Sequence, residues 1–483
     1  MLTKNDLHKI NDFLYEIPKT FRSDMRVSAR IYVNEKMLEQ VFRDKSLEQL
    51  VNVGTLPGIV KYALAMPDIH EGYGFPIGGV AATKFPEGVI SPGGIGFDIN
   101  CGVRLLTTGI SSEQLKPYLA ELADALNHAI PSGVGSTGKI KLDKVAMNRV
   151  LLGGAKQVVS QGYGLPEDLE HCEAGGCLEK ADPTKVSDQA KTRGRDQLGT
   201  LGSGNHFLEI QRVEQIFDEK VAEAFGLKSN EITILIHTGS RGLGHQVCTD
   251  WVRIFNQKLS EWGLRLPDRE LACAPIDSPE GQGYFAAMCA AANFAWANRQ
   301  IITHLTRQVW QKVLPSELVQ KKLNLVYDVA HNIGKIEEHE VEGKQMKLIL
   351  HRKGATRAFP PGHPELARIY QTTGQPVLIP GSMGTASYVL VGTELAKDSF
   401  YSVCHGAGRT MSRIAAKRKV WGSDLIKELN KRGIIIKCGS PAGLAEEAPQ
   451  AYKNVDEVVD VVARVGLAKK VARLIPLAVI KGE

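Results

Sequence analysis

The sequence predicts a mixed α/β (α+β) fold built as one continuous catalytic unit. Short apolar runs separated by glycine and proline, as in residues 67–102, are typical of strands joined by tight loops. Longer segments with apolar residues every three or four positions, as in residues 112–130 and 283–322, indicate amphipathic helices. No linker-like stretch divides the chain, and the candidate ligands described below come from most of its length. We therefore expect a single catalytic domain spanning residues 1–483.

The order of the remaining elements follows from the same patterns. We expect a charged, helical opening over the first 60 residues, ending in a short strand at 30–33. The polar, turn-rich stretch at 163–200 predicts a long surface excursion. The C-terminal part predicts a helix near 455–472 and a short strand at 477–480.

The composition is that of an ordinary globular protein, with 43% apolar and 23% charged residues. The N-terminus lacks the apolar core of a secretion signal, and no uncharged apolar run approaches the length of a membrane span. We therefore expect a cytoplasmic protein without membrane contact, and reduced thiols at its eight cysteines. The net charge of +6 permits a polyanionic partner but does not establish one, because charge clustering matters more than the sum.

The segment 96–102, with the sequence GFDINCG, holds two candidate functional residues at the centre of the predicted site. Its acid Asp98 and its thiol Cys101 are three residues apart and flanked by glycines, so both can point into one small cavity. Carboxylate and thiolate are anionic metal ligands, and a sulfur atom can bridge two ions. For this segment alone the alternative interpretation is the better one: a turn residue beside a small buried hydrophobe.

Four apolar runs stop at a histidine that is followed by small or turn-forming residues. These histidines are His237, His331, His351 and His405. Functional groups concentrate on loops held by a rigid scaffold, and a strand end is such a place. A lone histidine is more often structural than a ligand. Their recurrence favours a shared site, because neutral imidazole is the commonest metal-binding side chain.

A fifth histidine, His206, lies in the sequence GSGNHFLEI. If residues 205–210 form a strand, Asn205, Phe207 and Glu209 share one face and His206 lies on the other. One segment would then serve two neighbouring sub-sites, with metal on one face and ligand on the other. The alternative, a strand whose polar residues face water, stays open.

Cations follow the last of these histidines. His405 begins the sequence HGAG, which leads into a predicted helix at 409–419. A glycine-rich turn at a helix N-terminus presents free N–H groups to an anion. Arg409 and Arg413 are four residues apart and would share a helix face, so we interpret them as phosphate-binding. For the KRK run at 417–419 a solvated basic face is the better interpretation.

Two nucleotide-binding signatures are absent from the sequence. It contains no GxxxxGK[ST] phosphate loop and no KxDG motif, which disfavours a P-loop site and a lysine-based nucleotidyl transferase. Cys172 and Cys177, beside His171, lack the second half of a zinc site, and we interpret them as structural or surface residues.

Six motifs occur in one order along the chain: FDINCG, GSGNHFLE, IHTGSRG, DVAHN, CHGAGR and a terminal VIKG. From about residue 54 to the C-terminus the sequence resembles the RtcB-type RNA-splicing ligases. The resemblance implies an enzyme that joins RNA ends carrying a 2′,3′-cyclic phosphate or 3′-phosphate to 5′-hydroxyl ends, using GTP and two Mn²⁺ ions. It also implies a compact α/β fold with central β-sandwich-like sheets surrounded by helices.

The resemblance also implies roles for individual positions. The implied metal ligands, with the Cys101 sulfur bridging two ions, are Asp98, Cys101, His206, His237 and His331. His405 would be the nucleophile that takes GMP as a phosphoramidate. The implied GTP- and GMP-binding residues are Asn205, Phe207, Glu209, Ser382, Ala407, Tyr452 and Lys481. Positions associated with RNA phosphates hold Arg241, Lys353 and Arg413, and the charge pattern adds Arg409. Asp68 lies beside the site in the family, with an open role.

The implied reaction begins with hydrolysis of a cyclic phosphate to a 3′-phosphate. GMP then passes from His405 to that phosphate, giving RNA-(3′)pp(5′)G, and the 5′-hydroxyl attacks the activated end. Glu209 reading the guanine edge would explain a preference for GTP over ATP. Thiolate and imidazole ligands by themselves favour zinc over manganese, so manganese rests on the resemblance alone and zinc is expected to compete.

Two other functions stay open at this stage. A binuclear metal-dependent phosphoesterase, such as a cyclic-phosphate hydrolase, would use the same ligands without a covalent nucleotide step. A non-enzymatic RNA-binding module is less favoured, because only 6% of the residues are aromatic. The sequence does not distinguish tRNA halves from other cleaved RNA, or splicing from repair, nor does it say whether an archease-type activator is needed. We expect a monomer.

Overall fold

The computed structural model describes residues 2–320 and 322–482. It confirms the mixed α/β class, with sheets and helices in one compact domain. None of the helices in these two ranges is both long and apolar enough to cross a bilayer.

Strands occur from the beginning to the end of the described chain. They are β1 (His8–Asn11), β2 (Leu14–Ile17), β3 (Ser28–Tyr32), β4 (Tyr62–His70), β5 (Ile77–Lys84), β6 (Val89–Ile90), β7 (Gly102–Ser111), β8 (Phe207–Ile216), β9 (Glu231–Thr238), β10 (Ala274–Pro275), β11 (Asn324–Ala330), β12 (Asn332–Val341), β13 (Lys344–Lys353), β14 (Ala355–Arg357), β15 (Pro376–Ile379), β16 (Ser387–Gly392), β17 (Ser402–Cys404), β18 (Ile435–Cys438) and β19 (Ala468–Lys481).

The α-helices are interspersed with short 3₁₀ helices. They are α1 (Glu35–Val41), α2 (Ser46–Val53), α3 (Ser112–Leu115), α4 (Leu119–Ala129), α5 (Lys144–Ser160), α6 (Asp188–Gly194), α7 (Glu219–Ala224), α8 (Arg241–Lys258), α9 (Pro279–Val313), α10 (Ser316–Val319), α11 (Arg413–Lys419), α12 (Gly422–Lys431), α13 (Pro441–Leu444) and α14 (Val455–Val465). The segment predicted as a helix at 112–130 holds α3 and α4, and the block at 283–322 holds most of α9 and all of α10.

Two large sheets organise the strands. The first has the order β1-β2-β3-β4-β5-β13-β12, and the second has the order β11-β7-β9-β8-β19-β16-β15, with β18 added alongside β19. One buried cluster contains both Leu64 of the first sheet and Leu390 of the second, so the two sheets share a core. On the second sheet another cluster adds Leu122 of α4 and Trp310 of α9. This layering agrees with the sandwich-like arrangement expected from the resemblance.

The predicted helical opening is wrong. Residues 8–17 form the antiparallel hairpin of β1 and β2, and the first α-helices follow β3. All four residues of β1 are exposed, and the strand lies at the edge of its sheet. Charged residues are common on edge strands because they discourage pairing with other chains. The charges of this segment therefore do not indicate a helix.

The predicted C-terminal helix is too long, and the strand after it is too short. α14 ends at Val465, where Gly466 adopts a left-handed conformation with φ of 83° and closes the helix. The chain then enters β19, which pairs with β8 on one side and β16 on the other. The stop signal at Gly466 separates a helical from an extended segment that have similar apolar content.

The segment at 163–200 is only partly a surface excursion. It contains three 3₁₀ helices and α6. Its side chains Asp168, Cys172 and Glu173 are buried, and a Glu173 carboxylate oxygen lies 2.6 Å from the ammonium of Lys335. Part of this polar stretch therefore belongs to the protein interior.

Antiparallel pairing brings the ends of four strands, β7, β8, β9 and β11, together at the same end of the second sheet. Gly102 at the start of β7 pairs with Thr238 at the end of β9 and with Ala330 at the end of β11. Phe207 at the start of β8 pairs with His237. The residues just before β7 and β8, the last residues of β9 and the residues just after β11 therefore lie next to one another.

A buried cluster of charges lies beneath these strand ends. Arg104 of β7, Arg299 of α9 and Asp328 of β11 are fully buried. Asp328 accepts hydrogen bonds from Arg104 Nε at 2.7 Å and Arg299 Nη2 at 2.8 Å. Arg299 Nη1 also donates to the carbonyl oxygens of Asn100 at 2.8 Å and Thr238 at 2.9 Å. The cluster therefore joins α9 to the ends of three strands.

We expect Asp328→Asn to lower the free energy of unfolding by about 3–5 kcal/mol, because two buried guanidinium groups lose their carboxylate. Asp424→Asn is the matched control. Asp424 pairs with Lys427 on the surface, where both side chains are largely exposed, and its loss should cost under about 1 kcal/mol. Urea titration of both variants measures the difference, and equal losses would contradict the role given to Asp328.

Candidate metal and nucleotide site

Two sets of potential metal ligands share one thiol at the strand ends described above. They are Asp98, Cys101 and His206, and Cys101, His237 and His331, with all ligand atoms of a set within 4.8 Å of one another. The Cys101 Sγ lies 3.4 Å from the Nε2 atoms of both His206 and His237. The His237 and His331 Nε2 atoms are also 3.4 Å apart. A sulfur shared by two triads has the arrangement of a ligand that bridges two cations.

Burial and neighbouring charges shift the protonation of four of these groups. Burial lowers the pKa values of His237 and His331 well below the ordinary range, so both rings are neutral, as metal ligands must be. Burial, and next the Asp98 carboxylate, raise the pKa of the Cys101 thiol. Burial also opposes ionisation of Asp98, but His206 outweighs it and lowers the Asp98 pKa. Nitrogen, sulfur and carboxylate donors that converge in this way fit a divalent metal.

Backbone geometry holds the first triad in place. Asn100 adopts a left-handed conformation with φ of 53°, which asparagine tolerates better than most residues. The Cys101 N–H donates to the Asp98 carbonyl at 2.9 Å, and the His331 N–H donates to the Cys101 carbonyl at 2.9 Å. A Cβ atom at Gly239 would lie 2.4 Å from the Asp98 carboxylate, so a larger residue there would displace this carboxylate.

His405 lies against the second triad. Its ring centroid is 4.8 Å from that of His331. The Asp68 carboxylate accepts hydrogen bonds from the His405 backbone N–H at 2.9 Å and from Nδ1 at 2.6 Å. Asp68 is fully buried; burial opposes its ionisation, but His405 overcomes this and lowers the Asp68 pKa. Asp68 therefore fixes both the position of His405 and the nitrogen that carries the ring proton.

Gly408 allows the loop after His405 to approach Asp68. Its φ is 73°, and a Cβ atom there would lie 2.2 Å from the Asp68 carbonyl oxygen. Any other residue would force the loop away from the strand that carries Asp68.

Sixteen of the eighteen residues predicted for the site line one cavity of about 930 Å³. They are Asp98, Cys101, Asn205, His206, Phe207, His237, Arg241, His331, Lys353, Ser382, His405, Ala407, Arg409, Arg413, Tyr452 and Lys481. Residues from distant parts of the chain thus surround a single space beside the two triads. The other two predicted residues, Asp68 and Glu209, are buried and do not line the cavity.

Glu209 is buried on β8, two residues after Phe207. Its Oε2 accepts a hydrogen bond from Gln211 Nε2 at 2.6 Å, and its Oε1 has no partner among the described residues. Burial raises the pKa of Glu209 to about 8, although Gln211 and Lys481 act in the opposite direction. A buried acceptor without a partner is costly, which is expected of a group that meets a ligand.

Arg241 and Lys353 are buried basic residues of the cavity that form no ion pair with an acid among the described residues. Arg241 Nε donates to the Thr200 hydroxyl at 3.0 Å, and burial lowers the pKa of this guanidinium. Lys353 Nζ donates to the Phe75 carbonyl at 3.1 Å, and burial lowers its pKa to about 7. Uncompensated buried cations favour an anionic ligand.

The predicted helix at 409–419 is wrong at its start. α11 begins at Arg413, with the Ser412 side chain as its N-cap. Arg409 lies before the helix and does not share its face with Arg413. Its Nη1 lies 3.2 Å from a Glu447 carboxylate oxygen and 3.1 Å from the Tyr452 hydroxyl. Arg409 thus holds Tyr452 and is already neutralised by Glu447.

Several residues that line the cavity, or lie close to it, are not among those predicted from the sequence. Glu447 is buried and also accepts hydrogen bonds from Arg413 and from the Tyr452 hydroxyl, and its surroundings AEEAP carry no sign of burial. The lining also includes the titratable residues His70, Arg193 and His245, which belong to no motif used above.

One strand-end histidine is outside the site. His351 lies within β13 and is fully buried. Its Nδ1 is 3.3 Å from the Ala81 carbonyl oxygen, and its Nε2 accepts the Ser91 N–H at 3.1 Å. Both ring nitrogens have backbone partners, so His351 is structural.

Comparison with known proteins gives a consistent assignment. The family model described as tRNA-splicing ligase RtcB matches residues 49–482. The tRNA-splicing ligase RtcB of Archaeoglobus fulgidus is 55% identical over 477 residues, and that of Thermococcus kodakarensis is 54% identical, each alignment covering 99% of both chains. The RNA-splicing ligase RtcB of Mycobacterium tuberculosis is 52% identical over 90% of this chain and all of its own. The chain therefore belongs to the RtcB family.

Proposed function

We propose that the protein is an RNA ligase that joins 2′,3′-cyclic phosphate or 3′-phosphate ends to 5′-hydroxyl ends, using GTP and two Mn²⁺ ions. One observation carries the proposal: an imidazole oriented by a buried carboxylate stands beside two triads that share a thiol. The centroids of His405 and His331 are 4.8 Å apart, and Asp68 holds His405 Nδ1. The relatives are named as RNA- or tRNA-splicing ligases, which supports the joining of RNA ends.

His405 is the proposed covalent nucleophile. Donation of Nδ1–H to Asp68 leaves a lone pair on Nε2. Nε2 attacks the α-phosphorus of GTP, a nitrogen–phosphorus bond forms, and pyrophosphate leaves. The Asp68 carboxylate balances the positive charge that the ring acquires during the attack.

Asp98, Cys101 and His206 would hold one divalent ion, and Cys101, His237 and His331 the other. When bound, such ions neutralise charge on phosphate oxygens. The imidazole and thiolate donors also suit zinc, so we expect zinc to compete with manganese at these ligands.

Ligation then proceeds in two further displacements. An oxygen of the RNA 3′-phosphate attacks the phosphorus on His405, which takes its electron pair back and leaves RNA-(3′)pp(5′)G. The 5′-hydroxyl attacks the RNA phosphate and GMP departs. A cyclic phosphate must first be opened by water. Arg241, Lys353 and Arg413, which line the cavity, would bind the RNA phosphates.

The guanylate would lie among the remaining lining residues. Phe207 and Tyr452 offer aromatic faces, and Lys481 Nζ lies 5.5 Å from the Phe207 ring centroid. Asn205, Ser382 and Ala407 supply polar and backbone groups, and Glu209 would accept hydrogen bonds from the guanine edge. The substrates would be tRNA halves or other cleaved RNA. That the protein works in the cytoplasm as a monomer, with or without an archease-type activator, stays a prediction.

We expect incubation with Mn²⁺ and GTP labelled at the α-phosphate to leave label on the protein, and acid to remove it, since a phosphoramidate is acid-labile. His405→Ala should abolish the label. Asp68→Asn should slow labelling by roughly 10²- to 10⁴-fold, because the ring loses its orienting carboxylate. His128→Ala, which changes an exposed histidine, is the matched control and should label normally.

An unlabelled wild-type protein that still opens a 2′,3′-cyclic phosphate would reject the ligase and leave the binuclear phosphoesterase. Labelling of His405→Ala at the wild-type rate would reject the assigned nucleophile.

We expect Glu209→Ala to lose roughly tenfold to a hundredfold of the discrimination between GTP and ATP. The N–H donors of guanine would favour the ionised form of Glu209 over the neutral form that burial favours in the free protein, and hydrogen bonds to a charged group contribute about 1.5–3 kcal/mol. The measurement is the ratio of labelling rates with the two nucleotides. Undiminished GTP preference in this variant would show that another group reads the base.

A further inference from the structure

The net positive charge of the protein is concentrated in one segment. Residues 413–437 contain eight lysines and arginines and two acids, a net charge of +6. The whole chain has 59 basic and 53 acidic residues, so the other 458 residues hold 51 of each and are neutral. All of the excess charge therefore lies in 25 residues.

This segment begins at the cavity and leads away from it. Arg413 and Lys417 of α11 line the cavity, where Glu446 and Glu447 pair with them. Of the seven residues of α11, Ala416 alone is buried. The helix thus contributes little to the core and presents most of its surface to solvent.

Two cations at the end of α11 remain uncompensated. Arg418 and Lys419 are exposed, and neither pairs with a carboxylate within the described residues. The acids that neutralise α11, Glu446 and Glu447, contact its cavity side at Arg413 and Lys417. The outer end of the helix therefore keeps its positive charge.

An exposed tryptophan follows these cations by two residues. Trp421 is 78% exposed, whereas its successors Leu425 and Leu429 bury the inner face of α12. Trp421 precedes α12 without capping it through its side chain. A large ring that contributes little to the core, next to unpaired cations, is the combination with which proteins bind single-stranded nucleic acid.

We propose that residues 418–421 bind the single-stranded RNA next to the reacting end, with phosphates on Arg418 and Lys419 and a base stacked on Trp421. The inference rests on the proposed function, because it assigns the path of the RNA that enters the same cavity. RNA is favoured over an acidic protein partner because the helix that carries Arg418 and Lys419 also lines the cavity, through Arg413 and Lys417. The sequence alone favours a solvated face for this run, and the exposure of Trp421 reverses that interpretation.

The test measures binding of a 12-nucleotide single-stranded RNA with a 3′-phosphate, labelled at its 5′ end, by fluorescence anisotropy over a range of salt concentrations. Trp421→Ala should weaken binding roughly five- to hundredfold, and Trp421→Phe should restore most of it. Arg418→Gln with Lys419→Gln should weaken binding and reduce the slope of log affinity against log salt by about 1.4.

Lys220→Gln with Lys312→Gln is the matched control, since it removes the same charge from exposed positions in α7 and α9. The control should bind RNA as the wild type does. All variants should keep the wild-type unfolding temperature and the wild-type rate of labelling from GTP, because none of these residues lines the cavity.

Wild-type affinity in both Trp421→Ala and the Arg418/Lys419 variant would overturn the assigned path while the ligase proposal stands. A wild-type protein that neither takes label from GTP nor binds this RNA would overturn the proposed function and, with it, the path. Weakening by the matched control equal to that of the Arg418/Lys419 variant would also overturn the path, since charge alone would explain binding.

Discussion

A single buried carboxylate, Asp328, compensates two guanidinium groups, and the arrangement of the site depends on it. Through Arg299 it joins α9 to the carbonyl oxygens of Asn100 and Thr238, which adjoin Cys101 and His237. Buried charges need partners with good geometry, so these groups have few alternative positions. The candidate metal ligands therefore lie at strand ends that this buried charge cluster holds in place.

The proposed nucleophile, His405, is held by separate means, from the first sheet. Asp68 belongs to β4, and the His405 loop packs on it through Gly408. Lys453 strengthens this contact, because its Nζ donates to the Pro67 carbonyl at 3.1 Å and its backbone N–H to the Gly408 carbonyl at 2.8 Å. The cavity thus lies where the two sheets meet, with the candidate ligands at strand ends of the second sheet and His405, which follows β17, oriented by Asp68 of the first. Preorganised groups of this kind need little rearrangement during reaction.

The local sequence predicted the site residues that lie at the ends of strands. His237 and His331 end or follow apolar runs, and antiparallel register then places them beside Cys101. The role of Asp68 could not be predicted, because its partner lies 337 residues away. Burial of Glu447 depends likewise on tertiary contacts. The predicted helix start at Arg409 is wrong because the glycine-rich turn at 406–408 indicates a helix directly after it, whereas the Ser412 side chain caps a helix that begins at Arg413.

Whether one thiolate serves both ligand triads is tested most directly by electron paramagnetic resonance of the Mn²⁺-loaded protein. A shared Cys101 sulfur predicts two ions per chain with an exchange-coupled spectrum, and loss of that coupling in Cys101→Ser. The magnetically isolated signal of a single ion per chain, unchanged in Cys101→Ser, would contradict the shared-thiolate centre.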